Sequence, residues 1–153
     1  MPVDEDERDR RLERIRSHIA NIPQNVALGI SPVEVRPAEA LLQLPYDEKL
    51  VGNPDTGVIH GGVITTLLDV TSGTAVYAAL DELVPIATLD LRIDYLRAAD
   101  PGKTVLARAT CYKKTRNVAF TRAVAYHADD PSDPIAHAVG TFMQSTKRGG
   151  IKP

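Results

Sequence analysis

Residues 63–80 run through Val, Ile, Leu, Ala, Thr and Ser with a single charge, Asp69. At about 18 residues the stretch is too long for a strand, and it predicts one helix buried nearly all round. Wrapping such a helix requires a sheet, and the residues after Pro85 supply one. Ala87, Leu89, Leu91, Ile93 and Tyr95 alternate with Thr88, Asp90, Arg92 and Asp94, the period of a half-buried strand. Val105, Ala107, Ala109 and Cys111 alternate in the same way. Residues 118–127 and 135–143 read as two more strands, joined by the turn-forming run at 129–134. Upstream, residues 28–44 read as two short strands divided around Pro37. The expected class is α+β: an antiparallel sheet, its last four strands in a meander, wrapped around one long buried helix.

An extra helix precedes this unit. Leu12, Ile15, Ile19 and Ile22 form a narrow apolar stripe at helical spacing, with acids before them and arginines in the later turns. The expected organisation is an amphipathic N-terminal helix over residues 1–24, one domain over 25–147 and a flexible tail at 148–153. The longest uninterrupted apolar run, 75–80, is far shorter than the roughly 20 residues that span a bilayer. The first 24 residues are crowded with charge and hold no apolar signal segment. One cysteine, Cys111, makes neither an internal disulfide nor a cysteine metal cage. A cytoplasmic protein without a membrane partner is expected. A net charge of −2 and no basic stripe argue against nucleic acid.

Several short matches to chemical motifs fail on context. Asp55-Thr56-Gly57 follows turn formers rather than an apolar strand. Gly102-Lys103-Thr104 lacks the earlier glycine of a phosphate loop, since position 98 is Ala98. Ser72 has no nucleophile-elbow glycines around it. His18, His60, His127 and His137 contain no pair at helical spacing, so no metal site is expected.

One constellation remains: His60-Gly61-Gly62 at the start of the apolar helix, and Asp69 within it. Glycines at a helix start let another group approach the backbone closely. The first-turn N–H groups have no intrahelical partner and carry the positive end of the helix dipole, which suits a developing oxyanion. A carboxylate in an apolar helix is either held by partners or works as a base or nucleophile. Gly61 and Asp69 stand eight residues apart, so about 12 Å along one axis. Both would have to lie within about 3 Å of one reacting carbon to share a reaction. One helix cannot serve one site with both, so joint catalysis implies a homodimer whose helices pair antiparallel around two shared sites.

The run Asn53…Gly57-Val58-Ile59-His60-Gly61-Gly62-Val63…Leu67-Leu68-Asp69, followed by Thr88-Leu89-Asp90-Leu91-Arg92-Ile93-Asp94-Tyr95-Leu96-Arg97, resembles the hotdog-fold acyl-CoA thioesterases of the phenylacetate-pathway (PaaI) type. The likeness covers residues 44–144, about two thirds of the chain. It implies hydrolysis of an acyl- or aryl-CoA thioester, with no metal or redox cofactor and with coenzyme A only as part of the substrate. It further implies that Gly61 N–H polarises the thioester carbonyl and that Asp69 is nucleophile or base. His60 and Asn53 would hold the carbonyl and thiol ends, and Thr88 would position the water or Asp69. Asn53 stands seven residues before His60, one more than is usual in that family. The resemblance also places coenzyme A contacts at Arg97 and at Lys113, Lys114, Thr115 and Arg116, cations expected to gather at neighbouring strand ends. The expected assembly is a dimer or a dimer of dimers. Two other functions fit the same fold: an acyl-thioester hydratase or dehydratase, which needs a histidine–carboxylate pair, and a non-enzymatic acyl-CoA-binding protein.

Overall fold

The computed structural model describes residues 5–145; the tail expected at 148–153 lies outside them. Helix α1 (Glu5–Ala20) buries Ile15 and Ile19, while Leu12 and Ile22 pack at the edge of the same core. A second short helix, α2 (Pro23–Leu28), follows, which the periodicity of the N-terminal segment does not reveal. Its ends carry ordinary signals: Pro23 opens it and Gly29, at φ 78°, closes it with its N–H on the carbonyls of Asn25 and Val26.

Strands β1 (Ser31–Arg36) and β2 (Glu39–Leu44) form a hairpin around Pro37 and Ala38. A small hairpin, β3 (Val51–Asn53) with β4 (Val58–Ile59), leads into the long helix α3 (Gly61–Ala79). Strands β5 (Ile86–Tyr95), β6 (Val105–Lys114), β7 (Val118–Tyr126) and β8 (Ala136–Gln144) complete the chain. The main sheet is antiparallel with strand order β1-β2-β6-β7-β8-β5.

That order corrects the expected four-strand meander. Of the last four strands only β6, β7 and β8 are consecutive neighbours; β5 pairs with β8 at the far edge, and β2 takes the place beside β6. Alternation tells which residues face the core but not which strand is the neighbour. The outer edge of β5, ten residues long, pairs with no strand among the described residues.

Helix α3 lies chiefly over β2, β6 and β7. The strands beneath it turn small residues inward: Ala107 and Ala109, Ala119, Ala123 and Ala125, Ala136 and Ala138 are all buried. Short side chains leave room for the helix to seat in the concave face at interior packing density. The helix is not buried all round, as its composition suggests. Gly61 and Gly62 are exposed and Val63, Thr65, Asp69 and Val70 are half-buried, so one stripe of α3 opens toward the β5 side. Cys111 belongs to the core, and burial pushes its thiol up from the ordinary range, against a reactive role.

Candidate active site

The open stripe of α3 begins at a capped N-terminus. His60 is the N-cap, and its Nδ1 accepts the Gly62 N–H at 2.9 Å. An accepting Nδ1 puts the ring proton on Nε2, on the exposed side of the residue. A Cβ at Gly62 would lie 2.9 Å from that Nδ1, so only glycine lets the imidazole sit over the first turn. Gly52 is required for a similar reason: its Cβ would stand 2.7 Å from the His60 Cα. The Val63 N–H is taken by the His60 carbonyl at 3.0 Å. Among the first three N–H groups of the helix, that of Gly61 alone has no acceptor among the described residues.

Tyr95, at the end of β5, braces this turn. Its hydroxyl donates to the Gly61 carbonyl at 2.8 Å and lies 2.5 Å from the Thr65 hydroxyl, which also bonds that carbonyl. Alternation marks Tyr95 only as an inward strand residue. The signal for more is a phenol on an otherwise aliphatic face, whose hydroxyl has to find a partner when that face packs. Gly61, Tyr95 and Arg97 line one side of a 320 Å³ cleft floored by Ile59, Ile64 and Ile135.

Two turns further along α3, Asp69 is half-buried. The Thr88 hydroxyl donates to its Oδ1 at 2.8 Å, and no cation pairs with it among the described residues. Simple alternation turns Thr88 outward with Asp90. The register between β5 and β8 slips between Thr88 and Asp90, so Leu89 is an extra residue and the phase reverses there. Thr88 thereby faces Asp69, whereas Leu89 is turned out to 56% exposure. Beside the pair lies a pocket of 150 Å³, lined by Val70, Gly73, Tyr77, Ile86 and Phe142, by Ile19 of α1 and by Ile22 at the start of α2. Burial pushes the Tyr77 phenol above its usual range, so it stays protonated at neutral pH.

Asn53 ends β3 next to Gly52, opposite Val58, and is engaged in the β3–β4 turn. Its side-chain oxygen accepts the Asp55 N–H at 3.0 Å and its carbonyl the Gly57 N–H at 2.9 Å, the bonds of a turn.

The cations do not gather within one chain. Arg97 follows the end of β5, whereas the turn holding Lys113, Lys114, Thr115 and Arg116 lies at its beginning, about 30 Å of strand away. Arg97 is fully engaged. Its Nε meets Asp133 at 2.9 Å, and Nη1 meets Asp100 at 3.2 Å and donates to the Ala98 carbonyl at 3.0 Å. Lys114 donates to the Ala79 carbonyl at 2.9 Å and pairs with Asp81 at 3.2 Å, closing the C-terminus of α3. The Thr115 hydroxyl bonds the Val118 carbonyl within its turn. Lys113 and Arg116 meet no acid among the described residues, and Arg116 borders a 480 Å³ surface cleft.

The site is thus two half-sites on one helix face, a free backbone donor at Gly61 and an oriented carboxylate at Asp69. Their spacing along the axis, about 12 Å, prevents one carbonyl from meeting both in a single chain. Comparison with known proteins gives a consistent picture. A model described as Thioesterase superfamily matches residues 56–132. A Halobacterium salinarum protein with an esterase name is 35% identical over 74% of this chain and 77% of its own length. The medium/long-chain acyl-CoA thioesterase YigI of Salmonella typhimurium is 30% identical over 82% of this chain and 87% of its own. A Pseudomonas aeruginosa protein of known crystal structure is 45% identical and superposes with a TM-score of 0.78, covering 88% of this chain and 98% of that one.

Proposed function

The chain belongs to the thioesterase superfamily, and on that footing we propose that it hydrolyses acyl-CoA thioesters to a free carboxylic acid and coenzyme A. The observation that carries the reading is the Thr88–Asp69 pair, an oriented carboxylate without a cation at the mouth of an apolar cavity. The acyl-CoA class follows the name of the YigI relative and the cations at the strand ends.

In this reading two copies pair through the free edges of their β5 strands, antiparallel, so that Asp69 of one meets Gly61 of the other. The thioester oxygen takes the free Gly61 N–H and the end of the α3 dipole, which strengthen as negative charge develops on it. The Nε2–H of His60 is a second donor at that end. Asp69 either takes a proton from a water as that water attacks the carbonyl carbon, or attacks the carbon itself to form an acyl–Asp69 anhydride that water then hydrolyses; Thr88 holds Oδ1 and leaves Oδ2 for the reaction. The tetrahedral intermediate collapses with cleavage of the C–S bond, and the thiolate leaves as coenzyme A. The same pairing brings Arg97 of one copy to the sheet end where the other presents Lys113 and Arg116, a place for the nucleotide phosphates. The chemistry uses no metal or redox cofactor, and a cytosolic location fits its coenzyme A substrate. A hydratase would need an imidazole free to work with the carboxylate, whereas the His60 Nδ1 is spent on the helix cap.

The test is thiol release from a panel of acyl-CoAs by the wild-type chain and by Asp69→Ala. Turnover by the wild type and a loss of about 100-fold or more in kcat are expected for a removed base or nucleophile. Equal turnover by the variant would refute the assignment. The fold should survive, since a half-buried carboxylate is replaced by a methyl.

A further inference from the structure

Asp69, Gly73 and Tyr77 succeed one another at four-residue spacing, so they stack along one face of α3 away from the catalytic carboxylate. All three line the 150 Å³ pocket, together with Ile86 and Phe142 from the sheet and with Ile19 of α1 and Ile22 at the start of α2. Glycine is the poorest helix former apart from proline, yet Gly73 sits in the middle of a 19-residue helix. Its backbone does not demand glycine, for it is absent from the positions with positive φ. Nor does crowding demand it: a Cβ there would meet Ile86 Cδ1 at 3.6 Å and Phe142 Cε1 at 3.7 Å, ordinary contact distances. What a methyl at Gly73 would remove is the space itself.

We infer that Gly73 sets the depth of the acyl pocket and that Ile19 and Ile22 form its outer wall, favouring acyl groups up to about the size of one six-membered ring over longer chains. The inference rests on the thioesterase reading above and specifies the acyl class for that site. The preference follows from the walls: 150 Å³ is about the space that an apolar protein cavity gives a benzene ring, and beyond it the pocket is bounded by Ile19 and Ile22. A longer chain entering past Asp69 meets Ile19, which is 3% exposed and locked in the core. Helix α1 is tied down beyond that contact by the Arg11 guanidinium, which donates to the Asp81 carbonyl at 2.9 Å. A long acyl group would have to lift the helix.

The experiment compares kcat/KM across the saturated series from acetyl- to dodecanoyl-CoA, with cyclohexanecarbonyl-CoA as the ring-sized probe. It uses the wild type, Gly73→Ala and Ile22→Ala. The wild type should accept substrates up to the ring-sized probe and fall at least about tenfold by decanoyl-CoA. In Gly73→Ala the ratio of acetyl- to hexanoyl-CoA efficiency should rise about tenfold or more, the usual scale for one methyl group in an apolar pocket. Its melting temperature should not fall, because alanine favours the helix. Ile22→Ala should move the limit toward longer chains. An unchanged profile in Gly73→Ala, or a wild type that works best on decanoyl-CoA and longer, would overturn the gauge and leave the thioesterase reading standing. A wild type that hydrolyses no CoA thioester would overturn that reading and the gauge with it.

Discussion

The Thr88 hydroxyl donates to Oδ1 of Asp69 across 2.8 Å, joining the edge strand β5 to the helix α3. This single bond chooses which carboxylate oxygen faces the cleft. Thr88→Val keeps the shape and deletes the donor. A net hydrogen bond to a charged group is worth about 1.5–3 kcal/mol, so kcat should fall by about ten- to a hundredfold. KM should change little, because the bond orients a reacting group rather than holding substrate. Thr88→Ser should recover most of the rate. Steady-state kinetics on the best acyl-CoA checks all three.

The cation assignments divide by how occupied each side chain is. Arg97 is braced by Asp100, Asp133 and two carbonyls, whereas Lys113 and Arg116 meet no acid among the described residues. Arg116→Ala should therefore raise KM for acyl-CoA several-fold with kcat nearly unchanged, the scale of an exposed ion pair. Arg97→Ala should also lower the melting temperature, since it frees two aspartates and two carbonyls. On the acyl-pantetheine thioester, which lacks the nucleotide phosphates, Arg116→Ala should match the wild type. An equal loss on both substrates would show that Arg116 does not hold the nucleotide.

A pH dependence follows from the loop that carries Arg97. The Lys103 ammonium bonds Asp129 at 2.8 Å and Asp100 at 3.0 Å. Its hydrogen bonds hold both carboxyls below their ordinary range, and the two aspartates, Asp129 foremost, hold the ammonium above its own. A carboxyl depressed on folding stabilises the fold above its unfolded pKa and loses that contribution as pH falls through the lower folded value. The ammonium's share is present below its unfolded pKa and is lost as pH rises through the raised one. Lys103→Met should thus melt slightly below the wild type at neutral pH. The difference should vanish in acid below the ordinary aspartate range and shrink in high salt, because the groups are exposed. Thermal melts across pH and salt check it.

Composition and period carry much of the fold. The uncharged run at 63–80 becomes α3, the stripe of Leu12, Ile15, Ile19 and Ile22 becomes the buried edge of α1 and α2, and alternation finds every long strand. Neighbours are another matter. Nothing in Ala87, Leu89 or Leu91 tells β5 to pass β6 and pair with β8, because face and partner are separate properties of a strand. The bulge at Leu89 is equally silent, since an apolar residue continues the alternation through it while the chain reverses phase. Thr88 therefore entered the site through a family likeness, and the bulge supplies the physical reason that it belongs there. Asp69 and Gly61 were legible from first principles, as the one charge in an apolar helix and a glycine at its start. Tyr95 and Gly73 were not, because their importance lies in what they touch or leave empty across the fold.

The central claim is that a working site takes Asp69 from one chain and Gly61 from another. Gly61→Pro removes the free N–H at a helix position that tolerates proline, and the extended backbone of His60, at φ −58° and ψ 132°, suits the residue before one. Asp69→Ala removes the carboxylate. Each variant alone should be inactive. Mixed and allowed to exchange subunits, they should recover up to about one quarter of wild-type activity, since random pairing makes half the dimers mixed and each mixed dimer owns one intact site of two. The decisive measurement is thiol release from acyl-CoA by that mixture after subunit exchange has been verified by mass spectrometry. Recovery toward that level is the predicted result, and a mixture as inactive as its two components would contradict a site built across two chains.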